Sequence, residues 1–203
     1  MNVLAPGSTL LFATHNAGKV EEVRELLAPL GIEVVSAADL GLPVPEETEE
    51  SFCGNARLKA ISALRQTGLA ALADDSGLCV DALDGAPGVR TADWAEGPNG
   101  RDFLLAMEKT HRLLLESGAA GPWSATFRCV LAFAAPGREV EYFDGRVDGV
   151  LVWPLRGALG HGYDPMFVPE AGTRTFAEMS HAEKNAVSHR ARALAAFLAR
   201  CFT

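Results

Sequence analysis

A mixed α/β fold with a cleft, not a purely parallel sheet, is what this 203-residue sequence predicts. Two observations carry that expectation. Strand and helix patterns alternate through the first part of the chain, and two long alternating strands come later. Hydrophobic residues make up 48% and charged residues 22%, the balance of a soluble globular chain long enough to bury a full core within one domain, 1–203.

Taken in order, Thr9 to Thr14 is apolar and partly β-branched or aromatic and reads as a strand. Val20, Val23, Leu26, Leu27 and Leu30 then recur at helical spacing. "IEVVSA" is a short strand, followed by the Pro- and Glu-rich loop "LPVPEETEE". Ser51 to Thr67 reads as a helix with Phe52, Ala56, Ala60, Ile61 and Leu64 along one side. "LAALADDSGLCVDAL" reads as an apolar strand that breaks into an acidic turn. Phe103, Leu104, Met107, Leu113 and Leu114 mark the next helix, and "SATFRCVLAFAA" and "REVEYFDGRVDGVLV" are strands joined through "APG". A long Gly-rich loop, "PLRGALGHGYDPMFVP", precedes a last helix that starts at Ser180. Glu183 stands three residues on, a capping-box spacing, with Val187, Ala191, Leu194, Leu198 and Cys201 as the expected buried stripe.

The net charge of −8 opposes broad binding to nucleic acid or a membrane surface, which works through clustered cations. A polyanionic small ligand is compatible with it if local cations and a divalent metal offset the charge. Cys53, Cys79, Cys129 and Cys201 are widely spaced, with no Cys-x-x-Cys pair, as in a reduced cytosolic protein. No apolar stretch approaches the roughly 20 residues that span a bilayer, and the start of the chain lacks a signal-peptide pattern.

Four groups of residues could carry chemistry. The first is "THNAGK" between strand and helix, where backbone N–H groups, Gly18 and Lys19 suit an anion, most simply phosphate, at the positive end of a helix. It is not a Walker A loop, because Ala13 and Val20 stand where that motif needs Gly and Ser or Thr. A purely structural turn is the alternative. The second group is Asp74 and Asp75, adjacent acids whose charge needs a cation, for which magnesium is the simplest. The alternative there is an Asx-type turn onto Ser76 and Gly77. Glu46, Glu47, Glu49 and Glu50 lie just before the second helix, where the macrodipole alone favours acids, and one of them aimed at the cleft could complete a metal site with Asp75. Asn55 and Lys59 share a face of that helix, and Lys59 is a phosphate cation if its face meets the cleft and a surface lysine if not.

The third group is "HGYDP", in which Gly160 and Gly162 permit close approach, Tyr163 or His161 offers a stacking face and Asp164 an acceptor. Such a loop could hold a planar base, or form a Pro-terminated turn before the strand Met166 to Val168. The fourth is "EKNAVSHRAR", with Lys184 and Ser188 on one helix face and His189 and Arg190 on its shoulder. Three cations on one helix are otherwise an ordinary solvated surface.

Together "ATHNAGKVEEV", "EETEESFCGNARLKA", "ALADDSGLCVDALDGAPGV", "FRCVLAF", "GALGHGYDPMFVP" and "TFAEMSHAEKNAVSHRARAL" resemble the inosine triphosphate pyrophosphatase family, in bacteria the RdgB-like dITP/XTP pyrophosphatases. The segments occur in the family's order and cover almost the whole chain. The resemblance implies two lobes sharing a long mixed sheet flanked by helices, a central cleft, a homodimer and a cytoplasmic house-cleaning role. It also implies magnesium-dependent hydrolysis of the deaminated purine nucleotides ITP, dITP and XTP to monophosphate and pyrophosphate.

Carried over, Thr14, His15, Asn16, Ala17, Gly18 and Lys19 form the phosphate cradle. Asp75 is the general base or water-positioning acid and a magnesium ligand. Asp74 supports it, Ser76 touches substrate, Glu46 or Glu47 is the other metal-linked acid, and Lys59 is a further phosphate cation. His161, Gly162, Tyr163 and Asp164 line the nucleoside pocket, while Lys184, His189 and Arg190 read the 6-oxo base.

The chain departs from the family's pattern at His15, where Gly is usual, and at Gly54, where an acid is common. It departs again at His161 in place of Phe and at Asp93 in place of Arg. These leave two other readings standing: a nucleotide-binding sensor with little turnover, and a pyrophosphatase for a different damaged nucleotide.

Overall fold

The structure is a computed structural model that describes residues 4–170 and 172–201. Among the described residues there are five α-helices and eight strands. They are β1 (Thr9–Phe12), α1 (Ala17–Leu27), β2 (Glu33–Ser36), α2 (Phe52–Thr67), β3 (Ala71–Val80), β4 (Glu96–Gly97), β5 (Gly100–Arg101), α3 (Phe103–Glu116), β6 (Trp123–Ala134), β7 (Glu141–Leu151), β8 (Phe167–Pro169), α4 (His181–Val187) and α5 (His189–Cys201). The predicted elements appear in the predicted order, β4 and β5 are additions, and the last predicted helix is divided in two. Six strands form one sheet in the order β2-β1-β3-β6-β7-β8. β1 pairs in parallel with β2 and β3, and β7 antiparallel with β8, so the sheet is mixed as expected.

The chain divides into two compact units. One comprises the described residues of Met1–Asp75, Val130–Asp144 and Ala193–Thr203, the other those of Ser76–Cys129 and Gly145–Arg192. In the first, Leu10, Leu11 and Phe12 of β1 are fully buried, α1 buries Val20, Val23 and Leu27, and Phe197 of α5 packs on Phe133 and Phe143. Ala63 of α2 meets Leu11 and Ala71, and the two alanines let helix and sheet backbones approach closely. In the second unit the core gathers Leu78, Met107, Leu114, Phe127, Leu151, Tyr163, Met166, Phe167 and Phe176. Fully burying one such Leu or Phe is worth about 1.5 to 3 kcal/mol, so Phe127→Ala would strip a large share of this unit's stability.

Three local expectations are corrected. β3 does not break at Asp74 and Asp75 but runs on to Val80, and the turn comes at Asp81–Leu83. β1 pairs only with its start, Ala71 and Leu72, so the ladder with β6 carries it past the two acids and outweighs the poor strand propensity of aspartate. The last helix is two helices, because Ser188 is extended (φ −69°, ψ 155°) and its Oγ accepts from the Ala191 N–H, so it restarts the helix as a cap. The buried stripe of α5 is therefore Ala193, Leu194, Phe197 and Cys201, while Val187 is exposed. In α3, Ala106, Met107, Thr110 and Leu114 face inward and Leu104 is 48% exposed, since at about 100° per residue it lies about 100° round the helix from the centre of their face.

The "APG" connection behaves as predicted. Arg138 N–H donates to Ala135 O at 3.2 Å with Gly137 at φ +70°, a turn that Pro136 and Gly137 favour together.

Candidate active site

In the first unit the site is built from the β1–α1 turn, the loop before α2, α2 itself and β3. At the end of β1 the Thr14 hydroxyl accepts from the Asn16 N–H (3.2 Å), and Asn16 Oδ1 caps α1 by accepting from the Lys19 N–H (3.2 Å). The cap satisfies one of the orphan donors of the first turn and leaves the Ala17 and Gly18 N–H groups without intrahelical partners. His15 turns to the following loop instead, its Nε2 lying 2.8 Å from Leu42 O.

β3 supplies the acids. Because it continues as a strand, Asp74 and Asp75 leave it on opposite faces. Both are buried, at 2% and 6% exposure, so each needs a partner. Asp74 Oδ2 takes Lys19 Nζ at 2.6 Å. Asp75 faces α2, where Asn55 Nδ2 donates to its Oδ2 at 3.3 Å and Lys59 Nζ stands 3.8 Å from its Oδ1. Lys59 also meets Glu47 Oε1 at 3.2 Å, so one ammonium is shared between two carboxylates. Burial pushes the Asp75 carboxyl up to about 6; Lys59 and Asn55 oppose the shift, while Glu47 and Asp74 add to it. Burial alone would lower the Lys59 ammonium, but Asp74, Asp75 and Glu47 outweigh it and hold it above its ordinary value.

Sequence reasoning left open which acid of the 46–50 stretch approaches this cluster. In the structure it is Glu47; Glu46 is exposed and has no polar partner among the described residues. Gly54 is filled from outside, since a Cβ there would lie 2.6 Å from Glu49 Cβ. The donor set fits a hard divalent cation. Asp75 and Glu47 offer carboxylate oxygens crowded by one lysine, and magnesium needs only one or two such ligands beside water and phosphate oxygens. Among the described residues no group of three His, Cys, Asp or Glu side chains converges as a ready-made metal cage. Asn55 is the residue that sequence reasoning noticed without assigning a role; its helical spacing to Lys59 was the available signal.

In the second unit the loop before β8 folds around Asp164. Its carboxylate accepts from the His161 N–H at 2.9 Å and from Lys184 Nζ at 2.5 Å, and it is 2% exposed. Gly160, at φ +73°, passes so close that a Cβ would lie 2.1 Å from Asp164 Oδ2, so only glycine fits. Lys184 also stands 5.6 Å from the centre of the Phe176 ring. His189 and Arg190, in the first turn of α5, are both 6% exposed, which corrects the solvated-surface alternative for them. His189 stacks on Phe127 at 4.9 Å and 9°.

Tyr163 offers no stacking face. It is 1% exposed, its ring meets Phe103 edge-on at 6.1 Å, and burial pushes its hydroxyl up to about 12, so its apolar bulk belongs to the core. His161 is exposed, Gly162 is half-buried with φ +69°, and Ser76 follows Asp75 on β3, half-buried. Phe127 on β6 and Phe176 in the short 3-10 turn Phe176–Glu178 were missed as partners of the site, because sequence pattern marks an aromatic as core and says nothing of what stacks on it.

The Ham1 family's model matches residues 10–200. The dITP/XTP pyrophosphatase of Ruegeria pomeroyi is 60% identical over 196 residues, spanning 97% of this chain and 96% of that protein. That of Gluconobacter oxydans is 57% identical over 201 residues, spanning 99% and 94%. Among solved structures, a HAM1 protein from Coxiella burnetii superposes with a TM-score of 0.88 at 36% identity, covering 95% of this chain and 98% of that one. With the strand order, the paired lysines and aspartates and these likenesses in agreement over nearly the full length, the chain belongs to the Ham1 family.

Proposed function

We propose that the protein hydrolyses the deaminated purine nucleoside triphosphates dITP, XTP and ITP to the monophosphate and pyrophosphate, clearing them before polymerases use them. The first two substrates are those in the names of its relatives, and ITP differs from dITP by one hydroxyl. The observation that carries the chemistry is Asp75: a buried carboxylate that shares one lysine with Glu47 and whose carboxyl lies near 6. Such a group accepts a proton from water near neutral pH far better than an ordinary aspartate.

The geometry supports the following roles. Asp75 orients the attacking water and takes its proton, and Asn55 holds one of its oxygens while Lys59 faces the other. Lys19, held by Asp74, and Lys59 place positive charge on phosphate oxygens, and the free N–H groups of Ala17 and Gly18 extend that cradle. Thr14 and Asn16 shape the turn, and Ser76 touches substrate. Asp75 and Glu47 would hold magnesium, which when bound spreads the charge of the phosphates.

In the second unit Lys184, His189 and Arg190 are donors suited to a 6-oxo purine, where adenine presents an amino group instead. A mismatch leaves buried donors unpaired at about 1 to 3 kcal/mol each. His161, Gly162 and the Asp164 clamp shape the loop beside them. A homodimer in the cytoplasm is part of the same reading and rests on the family resemblance.

The test is to incubate the protein with magnesium and equal concentrations of ITP, dITP, XTP, GTP and ATP, and to quantify pyrophosphate and orthophosphate separately. Pyrophosphate from the first three with little from GTP or ATP is expected. Orthophosphate as the first product, or no turnover of any of them, would overturn the reading.

A further inference from the structure

The loop from Leu42 to Glu50 carries Glu47, yet little of it is held. Between residues 43 and 48 the ion pair of Glu47 with Lys59 is the only polar side-chain or backbone contact among the described residues, and Val44 is 68% exposed. Pro43 and Pro45 remove two donors and narrow the backbone. What fixes this arch is at its ends. At its start, Leu42 packs on the Leu11, Ala63 and Ala71 cluster, its N–H donates to Ala37 O at 2.9 Å, and its carbonyl accepts from His15 Nε2 at 2.8 Å. At its end, Glu49 N–H donates to Asn55 Oδ1 at 3.0 Å, and the same side chain donates to Asp75 at 3.3 Å.

Each tether therefore ties the arch to a different part of the site: His15 to the turn that caps α1, Asn55 to the Asp75 carboxylate. A carbonyl can only accept, so Nε2 carries the proton and the His15 tether persists in both charge states of the ring. Glu49 reaches its place across Gly54, where a Cβ would lie 2.6 Å from Glu49 Cβ, so the end tether also depends on that glycine.

We propose that His15 and Asn55 are positioning residues that pin the two ends of the 42–50 arch and thereby hold the Glu47 carboxylate against Lys59. Closing a short arch at both ends leaves Glu47 few conformations, so the shared lysine is assembled before substrate arrives. On this proposal His15 acts through Glu47, its Nε2 being engaged with Leu42 O. The catalytic part of this inference rests on the function proposed above; the structural part does not.

The experiment has two arms. Amide hydrogen exchange over residues 42–50, with no nucleotide present, is compared between the parent protein and the His15→Leu, His15→Gln and Asn55→Leu variants, with a melting curve for each. Loss of a tether is expected to speed exchange by about threefold to tenfold at the hydrogen-bonded amide beside it, Leu42 for His15→Leu and Glu49 for Asn55→Leu, and His15→Gln, whose amide donor reaches the same carbonyl, restores the Leu42 protection. Unchanged exchange in His15→Leu, or a speed-up that His15→Gln does not restore, overturns the proposal. The second arm is a double-mutant cycle on dITP hydrolysis. His15→Leu lowers kcat/KM by about tenfold with Glu47 present and by less than about twofold in a Glu47→Gln background. A full loss in both backgrounds overturns it. If the parent turns over no nucleotide, the functional reading fails and the exchange arm alone decides the inference.

Discussion

Two buried aspartates, each facing a lysine, behave differently in this molecule. Asp164 in the second unit is saturated: Lys184 and the His161 N–H satisfy it, and Gly160 packs against it so closely that no other residue fits. Asp75 in the first unit has a more distant lysine at 3.8 Å, and that lysine is divided with Glu47. A carboxylate with all its partners is a clamp that shapes a loop. Burial raises the proton affinity of Asp75, and Lys59 and Asn55 offset that only in part, so this carboxylate is held at a cost that makes it reactive. Both are buried, at 2% and 6% exposure, and what differs is the lysine each one faces, close to Asp164 and more distant and shared with Glu47 at Asp75.

The sharpest way to break this comparison is to remove the same charge at each place. Asp75→Asn is expected to lower kcat for dITP by about 10³- to 10⁴-fold while nucleotide binding survives, measured by pyrophosphate release and equilibrium titration. Retained turnover would make Asp75 another clamp. Asp164→Asn is expected to spare the chemistry and to destabilise the fold by about 3 kcal/mol, because it leaves Lys184 buried with a neutral partner. Denaturant unfolding checks that figure, and a stability unchanged within error would refute the clamp.

Much of this was legible in the sequence, and the reasons for what was not are physical. Ser180 caps its helix as its spacing to Glu183 predicts, because a cap needs only its own side chain and the next turn, and Asn16 and Ser51, not read as caps from the sequence, cap theirs in the same local way. The strand order and the choice of Glu47 over Glu46 were not legible, since both depend on contacts between residues distant in sequence. The strand through Asp74 and Asp75 defied local propensity because the ladder with β6 and two lysines rescued it. Tyr163 misled for the opposite reason: in "HGYDP" it sits among loop-forming residues, but its ring completes a core that only the fold assembles.

A smaller effect sharpens the comparison through pH. The Asp75 carboxyl is raised from an ordinary value of 3.8 to about 6, so between those values the folded chain binds more protons than the unfolded one. Stability from this group is therefore full below about pH 4 and is lost as pH rises through 6. In metal-free buffer at pH 7.5, Asp75→Asn should be more stable than the parent by about 1 to 3 kcal/mol, with the gain vanishing near pH 4. Asp164→Asn should move the other way at pH 7.5. Two substitutions of the same chemistry with opposite signs would separate the two kinds of buried acid by calorimetry alone, and a shared sign would join them.

The smallest effect concerns how the second unit presents its cations. Lys184 ends one helix and His189 begins the next, and the break between them is the extended backbone of Ser188, whose hydroxyl accepts the Ala191 N–H at 3.1 Å. A continuous helix would carry His189 about 100° further round from Ser188 along the same axis as Lys184. The break instead frees the His189 ring to stack on Phe127 while Lys184 stays on Asp164. Ser188→Ala removes the cap without changing the chain path and should cost about 1 kcal/mol, and Ser188→Gly only a few tenths. Thermal unfolding measures both. Ala and Gly costing the same would mean that the hydroxyl does not hold the break, and that packing of the His189 ring on Phe127 sets the angle between the two helices.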